Sequence, residues 1–203
     1  TACVKYDLRK NVFQNDSVIP MWVADMDFKT PDFIINALKQ RLEHEILGYS
    51  IRTPEFEKVF MNWVFKRYNW EIKRDWIIYT PGIVPALAMM VLAFTQPKDK
   101  IIIQPPVYSP FMSVVRDNNR EVVYNPLILS GDRYVINFSE LENLLKNGAK
   151  MLLFSHPHNP VGRVWNSEEL SNIAALCLKY NCILVSDEIH CDLTFPPLEH
   201  IPT

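Results

Sequence analysis

Glycine is scarce. Average usage near 7% would supply about 14 in a chain of this length, and the 203 residues contain five. Gly48, Gly82, Gly131, Gly148 and Gly162 stand too far apart to write G-x-G-x-x-G or a Walker A loop. A Rossmann dinucleotide fingerprint and a P-loop are therefore excluded. The cysteines (Cys3, Cys177, Cys182 and Cys191) form no C-x-x-C pair. Cys177, Cys182 and Cys191 lie in apolar segments, the pattern of reduced, buried thiols in a cytosolic protein rather than of disulfides. Neither sign of charge is in excess, since 21 Lys+Arg against 23 Asp+Glu leave −2. Without a basic block there is no electrostatic footprint for nucleic acid or anionic lipid. The longest apolar stretch, Ile83 to Phe94, is far short of the ~20 residues a membrane span needs. Thr1 to Lys10 is polar and lacks the apolar run of a signal peptide, so a cytoplasmic location is expected.

What is present is an ordinary soluble composition, 48% apolar and 22% charged, with length for one domain or one plus part of another. Residues 1–30 read as an extended arm ending in the apolar and acidic run Met21 to Phe28. Thr30 and Pro31 suit the cap and first position of a helix carrying Phe33, Ile34, Ala37, Leu38 and Leu42, which stops near Gly48. A second helix starts at Thr53-Pro54-Glu55 with Phe56, Val59, Phe60, Trp63 and Val64 on one face. From residue 70, short apolar strands alternate with helices. The spacing predicts strands at 76–79, 100–104, 121–124, 151–155 and 183–186, and helices at 85–94, 109–118, 139–147 and 167–180, the last capped by the Ser167 hydroxyl. Strands apolar on both faces, alternating with helices, indicate a mostly parallel α/β sheet covered on both sides. Ligands gather at the carboxyl ends of such strands.

The residues after each predicted strand therefore matter. They are Thr80 to Pro85, Pro105 to Tyr108, His156 to Gly162, and Asp187 to His190. Each alone has a structural explanation: Gly82 a turn, Tyr108 packing, Asn159-Pro160 a turn dipeptide, Asp187 a cap. Together they supply what a phosphorylated heteroaromatic ring needs. Gly82-Ile83-Val84 offers backbone amides at a helix start, a phosphate seat. Tyr108 offers a stacking face, Asn159 an amide donor, and Asp187 a carboxylate for a protonated ring nitrogen. An acid opposite that nitrogen keeps the ring an electron sink.

On these residues the chain resembles the fold-type I pyridoxal-phosphate enzymes of the class I/II aminotransferase family, in particular their cystathionine β-lyase or C–S lyase branch. The resemblance covers nearly all of the chain. Its most specific pieces are the Trp22–Phe28 run, Gly48-Tyr49-Ser50, the Asn159-to-Trp165 stretch and Ser186-Asp187-Glu188-Ile189-His190. It implies a cofactor, pyridoxal 5'-phosphate, with Asp187 on the pyridine nitrogen, Asn159 on the ring oxygen, Tyr108 stacked on the ring and His190 behind it. Ile83 and Val84 would bind the phosphate through their amides. Tyr49 would reach the phosphate in the neighbouring subunit, making a homodimer, and Ala24 and Asp25 would line the side of a small amino-acid substrate. It implies a cis Asn159–Pro160 bond. Residues 1–50 would be an arm and helix of the small domain and dimer contact, and 51–203 the first part of the cofactor-binding large domain.

One departure stands out. The family anchors its cofactor on a lysine in a Ser-x-x-Lys stretch beyond the Asp187 strand, and binds substrate carboxylate with a later arginine. Neither precedes Thr203, so no catalytic residue is assigned in this chain, which reads as truncated. Lys98, Lys100, Lys146 and Lys150 flank strand starts or helix ends at the opposite edge. Three rivals are set against this reading. An ATPase on Asp187-Glu188 as a Walker B pair lacks its phosphate loop. A metal site would use His156, His158, Asp187 and His190, while His44 and His200 read as surface residues. A non-catalytic fragment would keep the fold without turnover.

Overall fold

The computed structural model describes residues 2–203, which divide into two compact units, one ending at Arg52 and the other spanning Thr53–Thr203. In the first unit the expected extended arm instead contains two short helices, α1 (Val4–Asp7) and α2 (Arg9–Phe13). The cause is Lys5. Its buried ammonium donates to the Asp25 carbonyl at 2.7 Å and to Asp27 Oδ2 at 2.9 Å, and its own carbonyl accepts from Trp22 Nε1 at 3.1 Å. A lysine that far from water is tolerated only when paired, so α1 is held against the Met21–Phe28 run. Helix α3 (Asp32–Leu42) follows, with Pro31 at its cap, one position later than the sequence suggests.

The second unit opens with α4 (Pro54–Tyr68), whose Pro54 occupies the first helical turn as predicted. The predicted strand at 76–79 does not form. A 3₁₀ turn spans Arg74–Trp76, and Trp76, Ile77, Ile78 and Tyr79 instead line an apolar groove of about 480 Å³ with Phe56 and Phe60 of α4. A short apolar run satisfies itself against a helix as readily as in a ladder, and periodicity alone does not separate the two.

After α5 (Ile83–Phe94) come β1 (Lys100–Ile103), α6 (Pro110–Arg116) and β2 (Glu121–Tyr124). A hairpin the sequence reading missed, β3 (Ile128–Ser130) and β4 (Arg133–Val135), turns through Gly131 at φ +64°. Then follow α7 (Phe138–Lys146), β5 (Met151–Ser155), α8 (Ser167–Lys179) and β6 (Ile183–Asp187). Helix α8 is capped by Asn166, in a reciprocal capping box with Glu169, rather than by the Ser167 hydroxyl.

The main sheet is all parallel, in the order β2-β1-β5-β6. Its two faces have separate cores. Ile101, Ile103, Met151, Leu153 and Val185 pack under α5 and α6, whereas Ile102, Leu152 and Phe154 pack under α7 and α8 with Trp165. Alternation across the pleat sends neighbouring residues to opposite faces, so an uninterrupted apolar run is what a doubly covered strand requires. Each fully buried aliphatic side chain contributes about 1.5–3 kcal/mol. This is the mostly parallel, doubly covered α/β architecture expected from the sequence. The chain steps outward from β1 to β2, then returns to lay β5 on the other side of β1. That reversal is the topological switch point at which open α/β sheets form a ligand crevice, here outside the carboxyl ends of β1 and β5.

Candidate functional site

Two loops leave the crevice, one from β1 carrying Tyr108 and one from β5 carrying Asn159. They are joined directly: the Tyr108 amide donates to the Asn159 carbonyl at 3.0 Å. His158 crosses the same gap, its Nε2 lying 3.0 Å from the Pro106 carbonyl. A carbonyl can only accept, so Nε2 carries the proton, and burial pushes this imidazole below its ordinary pKa. The Asn159 amide donates to Ser155 Oγ at 3.2 Å, and Ser155 is the ladder partner of Asp187. Beyond that last pair, the His156 amide donates to the Asp187 carbonyl at 2.9 Å. Tyr108, Asn159 and Asp187 are thus held on one edge of the sheet by backbone bonds, leaving their side chains available. The Asn159–Pro160 bond is cis.

Helix α5 packs along the same face as β6, and Val84 in its first turn rests on the cluster containing Val185. Gly82 precedes it at φ +151°, a backbone region that a side chain disfavours. The amides at a helix start have no acceptor within the helix, and among the described residues no side-chain cap bonds to the start of α5, where Ile83 and Val84 lie.

The electrostatics single out Asp187. Burial pushes its carboxyl above the ordinary aspartate range, against the lowering effects of the Ile189 amide and the His190 charge. Its Oδ1 accepts from Ile189 N at 3.2 Å, and Oδ2 has no hydrogen-bond partner among the described residues. The Asn159 side chain likewise makes no hydrogen bond among the described residues, and Tyr108 is 45% exposed. A desolvated carboxylate without a cation, an idle amide, an open aromatic face and uncapped helix amides fit an anionic, cationic-nitrogen aromatic ring. They form a donor set suited to pyridoxal 5'-phosphate.

A profile of the family described as aminotransferase class I and II matches residues 16–203. The chain belongs to that family. It is 40% identical over its whole length to the cystathionine beta-lyase PatB of Bacillus subtilis (strain 168), of which it covers 52%. Cystalysin from Treponema denticola, whose crystal structure contains a pyridoxal 5'-phosphate cofactor, superposes with a TM-score of 0.93 at 42% identity, covering 99% of this chain and 52% of that one. The pyridoxal-phosphate-bound C–S lyase of Staphylococcus hominis, solved with the inhibitor L-cycloserine, gives a TM-score of 0.93 at 34% identity, covering 99% and 54%. The chain therefore spans about half the length of the relatives it matches.

Within this family member, the other predicted site residues lie as follows. His190 is half-buried, three residues past the end of β6. Ala24, Asp25 and Tyr49 belong to the first unit. Asp25 is held there through its carbonyl by Lys5, and Tyr49 is fully exposed. The metal alternative finds no support in the geometry. His156 and His158 spend their Nε2 protons on backbone carbonyls, and among the described residues no three His, Cys, Asp or Glu side chains gather as ligands. Lys100 and Lys150 sit at the starts of β1 and β5, joined there by the Lys150 amide on the Lys100 carbonyl at 2.8 Å. No helix of the described residues is long and apolar enough to cross a membrane.

Sequence reasoning missed His200. It reads as a surface residue, yet it is buried, bonded to Glu188 and stacked on His156. A lone histidine with no partner at short spacing gives no signal when its partners arrive through tertiary contact.

Proposed function

We propose that the chain carries the cofactor cradle of a pyridoxal-phosphate-dependent C–S β-lyase acting on cystathionine or related S-substituted cysteines to give thiol, pyruvate and ammonia. The observation that carries the reading is the half-buried Asp187 carboxylate, engaged through one oxygen only, on the same edge as Tyr108 and Asn159 and one strand out from the sheet's point of reversal. Bound there, the cofactor supplies an electron sink for the carbanion formed at the substrate α-carbon. Asp187 would hold the ring nitrogen protonated; its burial strengthens that charge pairing. Asn159 would donate to the ring oxygen, and Tyr108 would cover one face and fix the ring plane. The Ile83 and Val84 amides would receive the phosphate at the positive end of α5. His190 would stand behind the ring.

The identity to PatB, and the likeness to cystalysin and the Staphylococcus C–S lyase, favour β-elimination over transamination. Residues 1–50 would form the small-domain and dimer-contact segment, and 51–203 the first part of the cofactor-binding large domain. In a cytoplasmic homodimer, Tyr49 would reach the partner's phosphate, with Ala24 and Asp25 on the substrate side. The lysine that moves protons at the α-carbon is expected outside these 203 residues.

The test is product analysis on the full-length protein. Release of pyruvate and thiol from cystathionine or an S-alkylcysteine is expected. Turnover that depends on an added keto acid and yields no pyruvate would give the second reading, an aminotransferase, which the family description also accommodates.

A further inference from the structure

Directly behind the crevice lies a polar assembly that none of the proposed roles uses. Glu188 follows Asp187 and is saturated: Oε1 accepts from Ser186 Oγ at 2.8 Å and from the Thr203 amide at 3.0 Å, and Oε2 accepts from His200 Nε2 at 2.8 Å. The His200 side chain is 1% exposed. Its ring stacks on His156 with centroids 4.3 Å apart, and the edge of Tyr68 from α4 closes against it at 5.5 Å. His156 Nε2 lies 2.9 Å from the Ile201 carbonyl, so it donates, leaving Nδ1 to accept from the Trp165 amide at 3.4 Å. The segment ending in Ile201 and Thr203 is thereby fastened across the tips of both β5 and β6.

The connections run forward into the crevice. His156 is the residue whose amide binds the Asp187 carbonyl, and it lies three positions before Asn159. Trp165 closes the far side of the Asn159 turn, donating from Nε1 to the Ser155 carbonyl at 2.9 Å. Asp187 is therefore joined to His156 by one hydrogen bond, and Asn159 by its bond to Ser155 Oγ and one further peptide step, so both crevice groups lead to the same pair of stacked histidines.

We propose that Glu188, His200 and His156 act as a positioning clamp for Asp187 and Asn159, with His200 as its key. The Glu188–His200 bond fixes the Glu188 side of the β6 tip. The His200–His156 stack transmits that placement to β5. The His156–Asp187 backbone bond then locks the two tips in register. The clamp's value for ligand binding rests on the reading of the crevice as a pyridoxal-phosphate site; its mechanical part does not.

The experiment uses the full-length protein and compares His200→Ala with two references. His200→Gln retains an amide donor at the Nε2 position for Glu188. Leu145→Ala truncates a buried side chain under α7 and controls for lost stability alone. Pyridoxal phosphate affinity, the visible circular dichroism of the bound cofactor and the hydrogen-exchange rate of the His156 amide are measured. His200→Ala is expected to weaken affinity about tenfold, reduce the dichroic band and speed exchange at His156. His200→Gln is expected to restore most of each, while Leu145→Ala lowers Tm and leaves all three unchanged. Wild-type values for His200→Ala, or equal changes in Leu145→Ala, would overturn the clamp. If His200→Ala does not fold, His200→Asn, whose shorter amide falls short of Glu188, replaces it with the same expectations. Should the wild-type protein take up no pyridoxal phosphate, the crevice reading falls, and exchange at His156 alone decides the clamp.

Discussion

On one side of the β6 tip, Glu188 collects hydrogen bonds from Ser186, His200 and Thr203; on the other, its neighbour Asp187 accepts one, from the Ile189 amide. Burial acts on both carboxyls in the same direction. At Glu188 the donors outweigh it and hold the group below the ordinary glutamate range, whereas at Asp187 burial prevails. Protein interiors satisfy their polar groups, so the saturated residue belongs to architecture. The under-satisfied one is the group for which a ligand is proposed.

Removing each carboxylate should separate the two roles. In the full-length protein, Asp187→Ala should lower turnover by about 10²–10³-fold while leaving the urea midpoint within error of wild type, because the one donor it releases, the Ile189 amide, is exposed and can turn to water. A large loss of stability would erase the contrast. Glu188→Ala should instead cost about 2 kcal/mol of stability, since it strands the buried His200 nitrogen and the Thr203 amide; equilibrium urea unfolding reads it.

The architectural side also has a pH signature. Burial, aided by repulsion from His200, lowers His156 to about 4 from an ordinary 6.5. Between those values the unfolded chain binds the proton that the folded one refuses. The contribution is therefore complete above 6.5 and is lost as pH falls toward 4. From pH 7 to pH 5, wild type should lose about 1–2 kcal/mol more than His156→Gln, measured as paired urea midpoints. Equal slopes would mean that His156 is not held neutral. The smallest effect is expected on the crevice side, at Tyr108. Phenylalanine keeps the face and should change cofactor affinity less than about threefold, whereas alanine should weaken it about tenfold. Equal losses would point to the hydroxyl instead.

The parallel strands were legible because being buried on both faces forces continuous apolar runs, as in Ile101-Ile102-Ile103 and Met151 to Phe154. That Tyr108, Asn159 and Asp187 would lie on one edge was legible because strand ends can be read once strands are found, whereas Ile83 and Val84 were reached from a predicted strand that does not form. The run at 76–79 misled because apolar residues packing against Phe56 and Phe60 look like a strand. The β3–β4 hairpin carried its own signal, Gly131-Asp132 between short apolar stretches, but its strands are three residues each. The clamp was invisible: Glu188 meets His200, and His200 meets His156, only through the return of the chain across two strand tips.

The amide–carbonyl link between Tyr108 and Asn159 bridges segments that are distant along the chain, and it closes only after β5 has docked beside β1. Such non-local closures are slow to search for and come late in folding. A molecule that recognises the closed crevice would bind finished copies and ignore partly folded ones, adding RT ln(1 + [L]/Kd) to their stability. Cofactor uptake would then double as an assay of maturation, counting the molecules in which both halves of the sheet have come together.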